Sequence, residues 1–241
     1  MYSIYHSQVN LLISPTYMGK DKLKRFKENI SFTNLIQPKI IFPAEDDRLK
    51  GNWGREFFKN NNPIVVELGC GRGEYTLNLA EKFPHKNFIG IDWKGARLWR
   101  GAKTGFEEKI FNVGFLRIQI QNISSFFAPD EVEEIWITFP DPHLIKSGEK
   151  KRLTSLRFLN LYRQFMVQNG IVNLKTDNKL LYDYTIEVLA AEKCEILNSS
   201  DDLYSTFEGD EILSIKTTYE KIWLKEGSKI CYIQFRINPE I

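Results

Sequence analysis

Apolar and polar positions along the chain fall into a recurring order. "PIVVEL" (63–68) is a near-continuous apolar run, the pattern of a strand buried on both faces. "EYTLNLAEKF" (74–83) then spaces its apolar residues three and four apart, the period of an amphipathic helix. The order repeats through a strand at 87–92, a helix at 94–110 and strands at 113–120 and 133–139. A helix at 154–170 follows, with Thr154 as its cap and Gly170 as its stop, then a strand at 170–176 and a helix at 178–192. "KCEILN" (193–198) predicts a sixth strand, and "KICYIQFRI" (229–237) a long final one. Strands alternating with helices predict βαβ units, hence an α/β fold with a doubly wound, mostly parallel sheet.

The pattern also divides the chain. Residues 1–17 hold no lysine, arginine, aspartate or glutamate and sustain neither period, so they read as a loosely ordered N-terminal extension. Residues 18–62 read as a basic, turn-rich lead-in, and 63–241 as a Rossmann-like domain. A length of 241 residues is ample for one domain with a real core.

Composition changes the picture little, but charge placement changes it more. The net charge is only +2, yet 146–163 carries six basic residues against Glu149, while 192–226 carries nine acids and four bases. Separated faces of this kind can offer the basic one to a polyanion. Cys70, Cys194 and Cys231 show neither pairing nor metal spacing, which predicts a reduced, cytoplasmic protein without a metal. No apolar run approaches the roughly 18 residues a membrane-spanning helix needs.

The first chemistry lies in "VVELGCGRGEY". Gly69, Gly71 and Gly73 sit between a strand and a helix, where glycines permit a tight turn and close approach of a ligand. Their GxGxG spacing differs from the GxGxxG of dinucleotide-binding folds. Glu67, two residues before, would repel a phosphate and favour a ligand bearing an amino group. Asp92 ends the next strand, where a carboxylate can hold the two hydroxyls of a ribose. Together these features fit S-adenosylmethionine. Asn122, read as ending the third strand, offers an amide that can read an adenine edge, although an ordinary turn asparagine fits equally.

The second chemistry is "ITFPDPH". In a doubly wound sheet, ligands lie beyond the carboxyl ends of the strands, and Asp141 stands there between two prolines. Prolines fix φ and remove backbone donors, so this carboxylate is held on a stiff turn.

With these residues together, "VELGCGRGEYT", "GIDWKGARLW", "ITFPDP", "KKRLTSLRFLNLY", "LKTDN" and "TTYEKIWLKEGSKICYI" resemble the bacterial tRNA (guanine-N(7)-)-methyltransferase family, TrmB, over roughly residues 18 to 237. The resemblance implies a class I S-adenosylmethionine-dependent methyltransferase fold whose last strand is antiparallel. It implies S-adenosylmethionine as donor and a variable-loop guanine of tRNA as acceptor, in a monomer or homodimer. It makes Asp141 the catalytic residue, and Glu67, Gly69, Gly71, Asp92, Asn122 and Asp141 the cofactor site. Asp177, Thr217, Thr218, Tyr219 and Glu220 would meet the substrate, and Lys150, Lys151 and Arg152 would face tRNA phosphates.

The chain departs from the family pattern at three positions. Asn122 stands where aspartate is common, and His143 replaces a tryptophan or polar residue. Ile145 occupies the place of a substrate-contacting lysine, a role that would pass to Lys146. Other readings of the same residues are a methyltransferase of another nucleic acid or a protein amine, and a tRNA-binding protein without catalysis. A nicotinamide oxidoreductase is opposed by the glycine spacing and by Glu67.

Overall fold

The computed structural model describes residues 15–39 and 45–237, with side chains from residue 21 onward. The expected extension therefore lies mostly outside the described residues, but a helix, α1 (Pro15–Glu28), starts before residue 18.

Among the described residues, eight strands form one sheet. In chain order they are β1 (Leu35–Ile36), β2 (Ile64–Leu68), β3 (Asn87–Ile91), β4 (Val113–Leu116), β5 (Val132–Thr138), β6 (Met166–Thr176), β7 (Glu195–Ser200) and β8 (Cys231–Arg236). Their spatial order is β1-β4-β3-β2-β5-β6-β8-β7. The first six run parallel, and β8 is antiparallel to both β6 and β7, as the resemblance implied. The helices are α2 (Glu74–Lys82), α3 (Gly95–Glu107), α4 (Leu156–Tyr162), α5 (Lys179–Ala191), α6 (Leu203–Thr206) and α7 (Thr218–Lys225).

β2, β3 and β4 are buried at every position, which is why they read as continuous apolar runs rather than alternations. The strand order reverses beside β2, so the carboxyl ends of β2 and β5 flank the crevice where doubly wound sheets bind ligands.

Three elements differ from expectation. The helix expected over 154–170 stops at Tyr162, and β6 begins at Met166. The Asn169-Gly170 pair is not a helix stop but part of a bulge. There the register jumps between Val132 and Glu134, and Asn169 adopts φ +61°. The strand expected over 113–120 ends at Leu116, and a 3-10 turn (Ile120–Ser125) follows. Ile118 and Ile123 still face the core, so apolar alternation outlasts the sheet. The lead-in is also more integrated than its composition suggests. Trp53, on a π-helical turn (Trp53–Phe58), is buried, stacks on Phe127 and donates its indole N–H to the Phe126 carbonyl at 2.7 Å.

Candidate active site

The glycine loop leaves β2 with Gly69, Gly71 and Gly73 at φ +75°, +58° and +73°, a left-handed path that side chains disfavour. At Gly73 even a Cβ would overlap the Phe115 ring, so the loop also needs glycine for packing. At Gly69 a Cβ would meet nothing within 4 Å. That open space belongs to a small cleft of about 90 Å³, walled by Gly69, Gly71, Thr138, Phe139, Thr217 and Tyr219.

Glu67 is buried beneath this loop. One oxygen accepts from the backbone N–H of Thr76 (2.9 Å) and from its hydroxyl, and the other from the Thr138 hydroxyl (2.6 Å). The carboxylate thus ties β2 to the first turns of α2 and to the end of β5. Burial dominates these bonds and pushes its pKa up to about 7. Asp92 follows β3 and braces the loop, accepting from Gly71 N–H (3.0 Å) and Lys94 N–H (2.7 Å). Each of its oxygens keeps a further lone pair. Asn122 does not end a strand but sits on the 3-10 turn, and its buried side-chain NH₂ has no partner among the described residues. An unsatisfied buried donor is costly unless a ligand meets it.

β5 ends in the proline turn. Phe139 (φ +50°) and His143 (φ +44°) both take the left-handed region, so Pro140-Asp141-Pro142 is bracketed by two strained residues. The Asp141 side chain is 78% exposed, with one oxygen 3.3 Å from the His143 N–H. Asp177 follows β6, where partial burial raises its carboxyl above the ordinary range. Thr217 caps α7 in a reciprocal box with Glu220, which sets the "TTY" segment against the glycine loop.

A family model described as "Putative methyltransferase" matches residues 61–233. A protein of Christiangramia forsetii named tRNA (guanine-N(7)-)-methyltransferase is 50% identical over 222 residues, covering 91% of this chain and 99% of that one. Another of that name, from Cytophaga hutchinsonii, is 47% identical over 225 residues, covering 92% and 100%. The chain belongs to the tRNA (guanine-N(7)-)-methyltransferase family. Among solved structures, the 16S rRNA methyltransferase KamB aligns with TM-score 0.60 over 80% of this chain and 96% of its own, at 11% identity. A 30S ribosomal A1408 methyltransferase from an uncultured bacterium gives 0.55, over 79% and 95%, at 15% identity. Both show the same class I methyltransferase fold.

Within that family pattern the structure sorts the expected residues. Gly69, Gly71, Thr217, Thr218 and Tyr219 line one cleft, with Asp92 beside the loop. Lys146 is exposed at the start of a 3-10 turn (Lys146–Lys151) that follows the proline turn. Glu220 is different. It is completely buried, pairs with Lys175 Nζ at 2.9 Å and accepts from the Tyr204 hydroxyl at 2.5 Å. Thr218 is also engaged: its N–H and hydroxyl both donate to Glu74, the first residue of α2. Arg152, expected to face tRNA, is 7% exposed and turned inward.

Sequence reasoning missed Lys175, Glu74 and Thr138. Lys175 carried a signal, being a lone cation in the apolar run "GIVNLKT". Glu74 and Thr138 carried none, because their partners are remote in sequence. Among the described residues no helix is long and apolar enough to cross a membrane, and no group of three or more metal-ligating side chains occurs.

Proposed function

We propose that this chain transfers the methyl group of S-adenosylmethionine to N(7) of a guanine in the variable loop of tRNA. One observation carries the reading. The turn bearing Asp141 begins at Phe139, which lines one cleft together with the glycine loop and Thr217–Tyr219, and this supports reading the cleft as a donor pocket beside a substrate wall.

When bound, S-adenosylmethionine supplies an electrophilic sulfonium methyl. The open side of Gly69 and Gly71 gives its chain room, Asp92 keeps lone pairs for the ribose hydroxyls, and the Asn122 amide is the free donor for adenine. Glu67 works from below, fixing α2 and Thr138 and placing a carboxyl near the donor's amino group.

Guanine N(7) has an in-plane lone pair and no proton, so this chain needs no general base. Its task is to orient that nitrogen toward the methyl, which proximity alone can reward greatly. Asp141 is free to accept from guanine N–H groups and to stabilise the positive charge that develops on the purine. Tyr219, half exposed at the cleft, offers a face for a splayed base, and Asp177 a second acceptor. Glu220 positions this wall from behind rather than touching substrate. Lys146, Lys150 and Lys151 lie exposed beyond the proline turn, where phosphates would pass.

The test is nucleoside mass spectrometry of tRNA incubated with the protein and labelled donor. One 7-methylguanosine per accepted tRNA is expected, and Asp141→Ala should abolish it while leaving melting temperature and donor affinity largely intact. Near-normal turnover of that variant would overturn the assignment.

A further inference from the structure

Arg152 lies in the basic run "EKKRL", yet its setting differs from that of Lys150 and Lys151. Those two are exposed, whereas the Arg152 side chain is 8% exposed. Its Nε donates to the Pro142 carbonyl at 3.0 Å and its Nη2 to the His143 carbonyl at 3.2 Å. The guanidinium also lies over the Tyr184 ring of α5, 4.2 Å from its centre, and Nη1 is 3.8 Å from Glu149. α5 is itself anchored by the buried Thr154–Thr185 hydroxyl pair at 2.7 Å.

We propose that Arg152 is a positioning residue for the reaction. It clamps the turn that carries Asp141 and does not bind tRNA phosphate. The inference rests on reading Asp141 as the catalytic residue.

The turn cannot hold itself. Pro140 and Pro142 have no N–H, so the segment lacks two of the donors that usually tie a tight turn together. Both of its ends are left-handed at non-glycine residues, a conformation that persists only when the surroundings impose it. On the Phe139 side the sheet does so, through Phe139 N–H to the Lys175 carbonyl at 2.8 Å. On the His143 side Arg152 provides the donors. The His143 N–H then reaches Asp141 Oδ1 at 3.3 Å, so the clamp is transmitted to the carboxylate through one residue.

The guanidinium chemistry suits this work. A planar fork can donate in fixed directions to two successive carbonyls while its face stacks on a ring; a lysine ammonium is a compact point charge without that plane. With its edges on carbonyls and one face on Tyr184, Arg152 has little left to offer a phosphate.

The experiment compares Arg152→Lys, Arg152→Ala and Lys151→Ala in the full chain. It measures kcat, KM for tRNA, the salt dependence of tRNA binding, melting temperature and hydrogen exchange of the loop. For Arg152→Lys, kcat should fall on the order of 10- to 100-fold, the scale of a small misplacement of a reacting group. KM and the salt slope should stay unchanged, and the His143 amide should exchange faster. Lys151→Ala should do the reverse, with kcat kept, affinity weakened and the slope lowered by about 1. Tyr184→Phe keeps the ring and should behave as wild type.

An Arg152→Lys chain with preserved kcat but weaker, less salt-sensitive tRNA binding would make Arg152 a phosphate ligand and overturn the proposal. Unchanged kcat with only a lower melting temperature would also overturn it, leaving a purely structural residue. If Arg152→Ala fails to fold, Arg152→Lys carries the test alone. A wild-type chain that methylates no tRNA would defeat the functional reading instead. Hydrogen exchange would then still judge the clamp, with unaltered exchange counting against it.

Discussion

Lys175→Met is the substitution that the fold should feel most sharply. Lys175 and Glu220 are both fully buried, and Lys175 uses all three ammonium protons: on Glu220 at 2.9 Å and on the carbonyls of Leu213 and Ile215 at 3.1 Å each. Burial, with the charge of Lys216 behind it, pulls the Lys175 pKa below its ordinary range, and Glu220 is the main group opposing that pull. Methionine keeps the stem volume but strands Glu220, which retains only Tyr204 (2.5 Å) and the Thr217 N–H (3.3 Å), along with two unpaired carbonyls. Breaking a buried pair from one side costs about 3–5 kcal/mol. At about 2–4 °C per kcal/mol for a chain of this size, the melting temperature should drop by roughly 10 °C. Removing both charges, in Lys175→Met with Glu220→Gln, should recover about 2 kcal/mol or more of that loss, because the stranded carboxylate is gone. Denaturant titrations of the two single variants and the double variant measure this directly. A single variant within about 1 kcal/mol of wild type, or strictly additive effects, would refute the reasoning.

The buried Glu67 makes stability depend on pH. Its carboxyl has a pKa near 4.5 when unfolded and about 7 when folded, so both states are neutral below about pH 4.5. As pH rises toward 7 the unfolded chain ionises first, and the folded state loses about 3 kcal/mol across that window. Glu67→Gln should flatten this fall in denaturation curves from pH 4.5 to 7; parallel wild-type and variant curves would count against it. On the proposed nucleic-acid face, Lys150→Ala with Lys151→Ala should weaken tRNA binding and lower its salt slope by about 1 per lost phosphate contact, with donor affinity unchanged. An unaltered slope would move the phosphate track to the exposed lysines of α1, namely Lys22, Lys24 and Lys27.

The sequence was most legible where burial is two-sided. β2, β3 and β5 announced themselves as apolar runs, and the glycines and prolines at their ends marked the cleft, because backbone constraints are written locally. The α4–β6 boundary was not legible, since Asn169-Gly170 signals a helix stop and a bulge equally well. Direction was the other hidden quantity. Glu220 reads as one more polar residue of "TTYE", and its inward partners, Lys175 and Tyr204, lie 45 and 16 positions earlier. Arg152 reads as part of a solvated charge run, yet carbonyls nine and ten residues away and a ring on α5 bury it. Trp53 was likewise hidden in a turn-rich stretch, its partners at Phe126 and Phe127 being set by tertiary contact.

The place of β8 in the sheet has a consequence for how the chain is made. β8 follows the seven other described strands along the chain, yet it lies between β6 and β7 rather than at an edge. Until residues 231–236 emerge, β6 can pair only with β5 and β7 has no partner in the sheet. A nascent or prematurely terminated chain therefore displays an open edge along β6, the strand that carries Lys175 and leads to Asp177. The strand that β8 completes also holds the segment bearing Thr217 to Glu220, through the buried Lys175–Glu220 pair at 2.9 Å. A chain cut short before β8 is thus marked by an unpaired strand, an edge open to pairing with other chains.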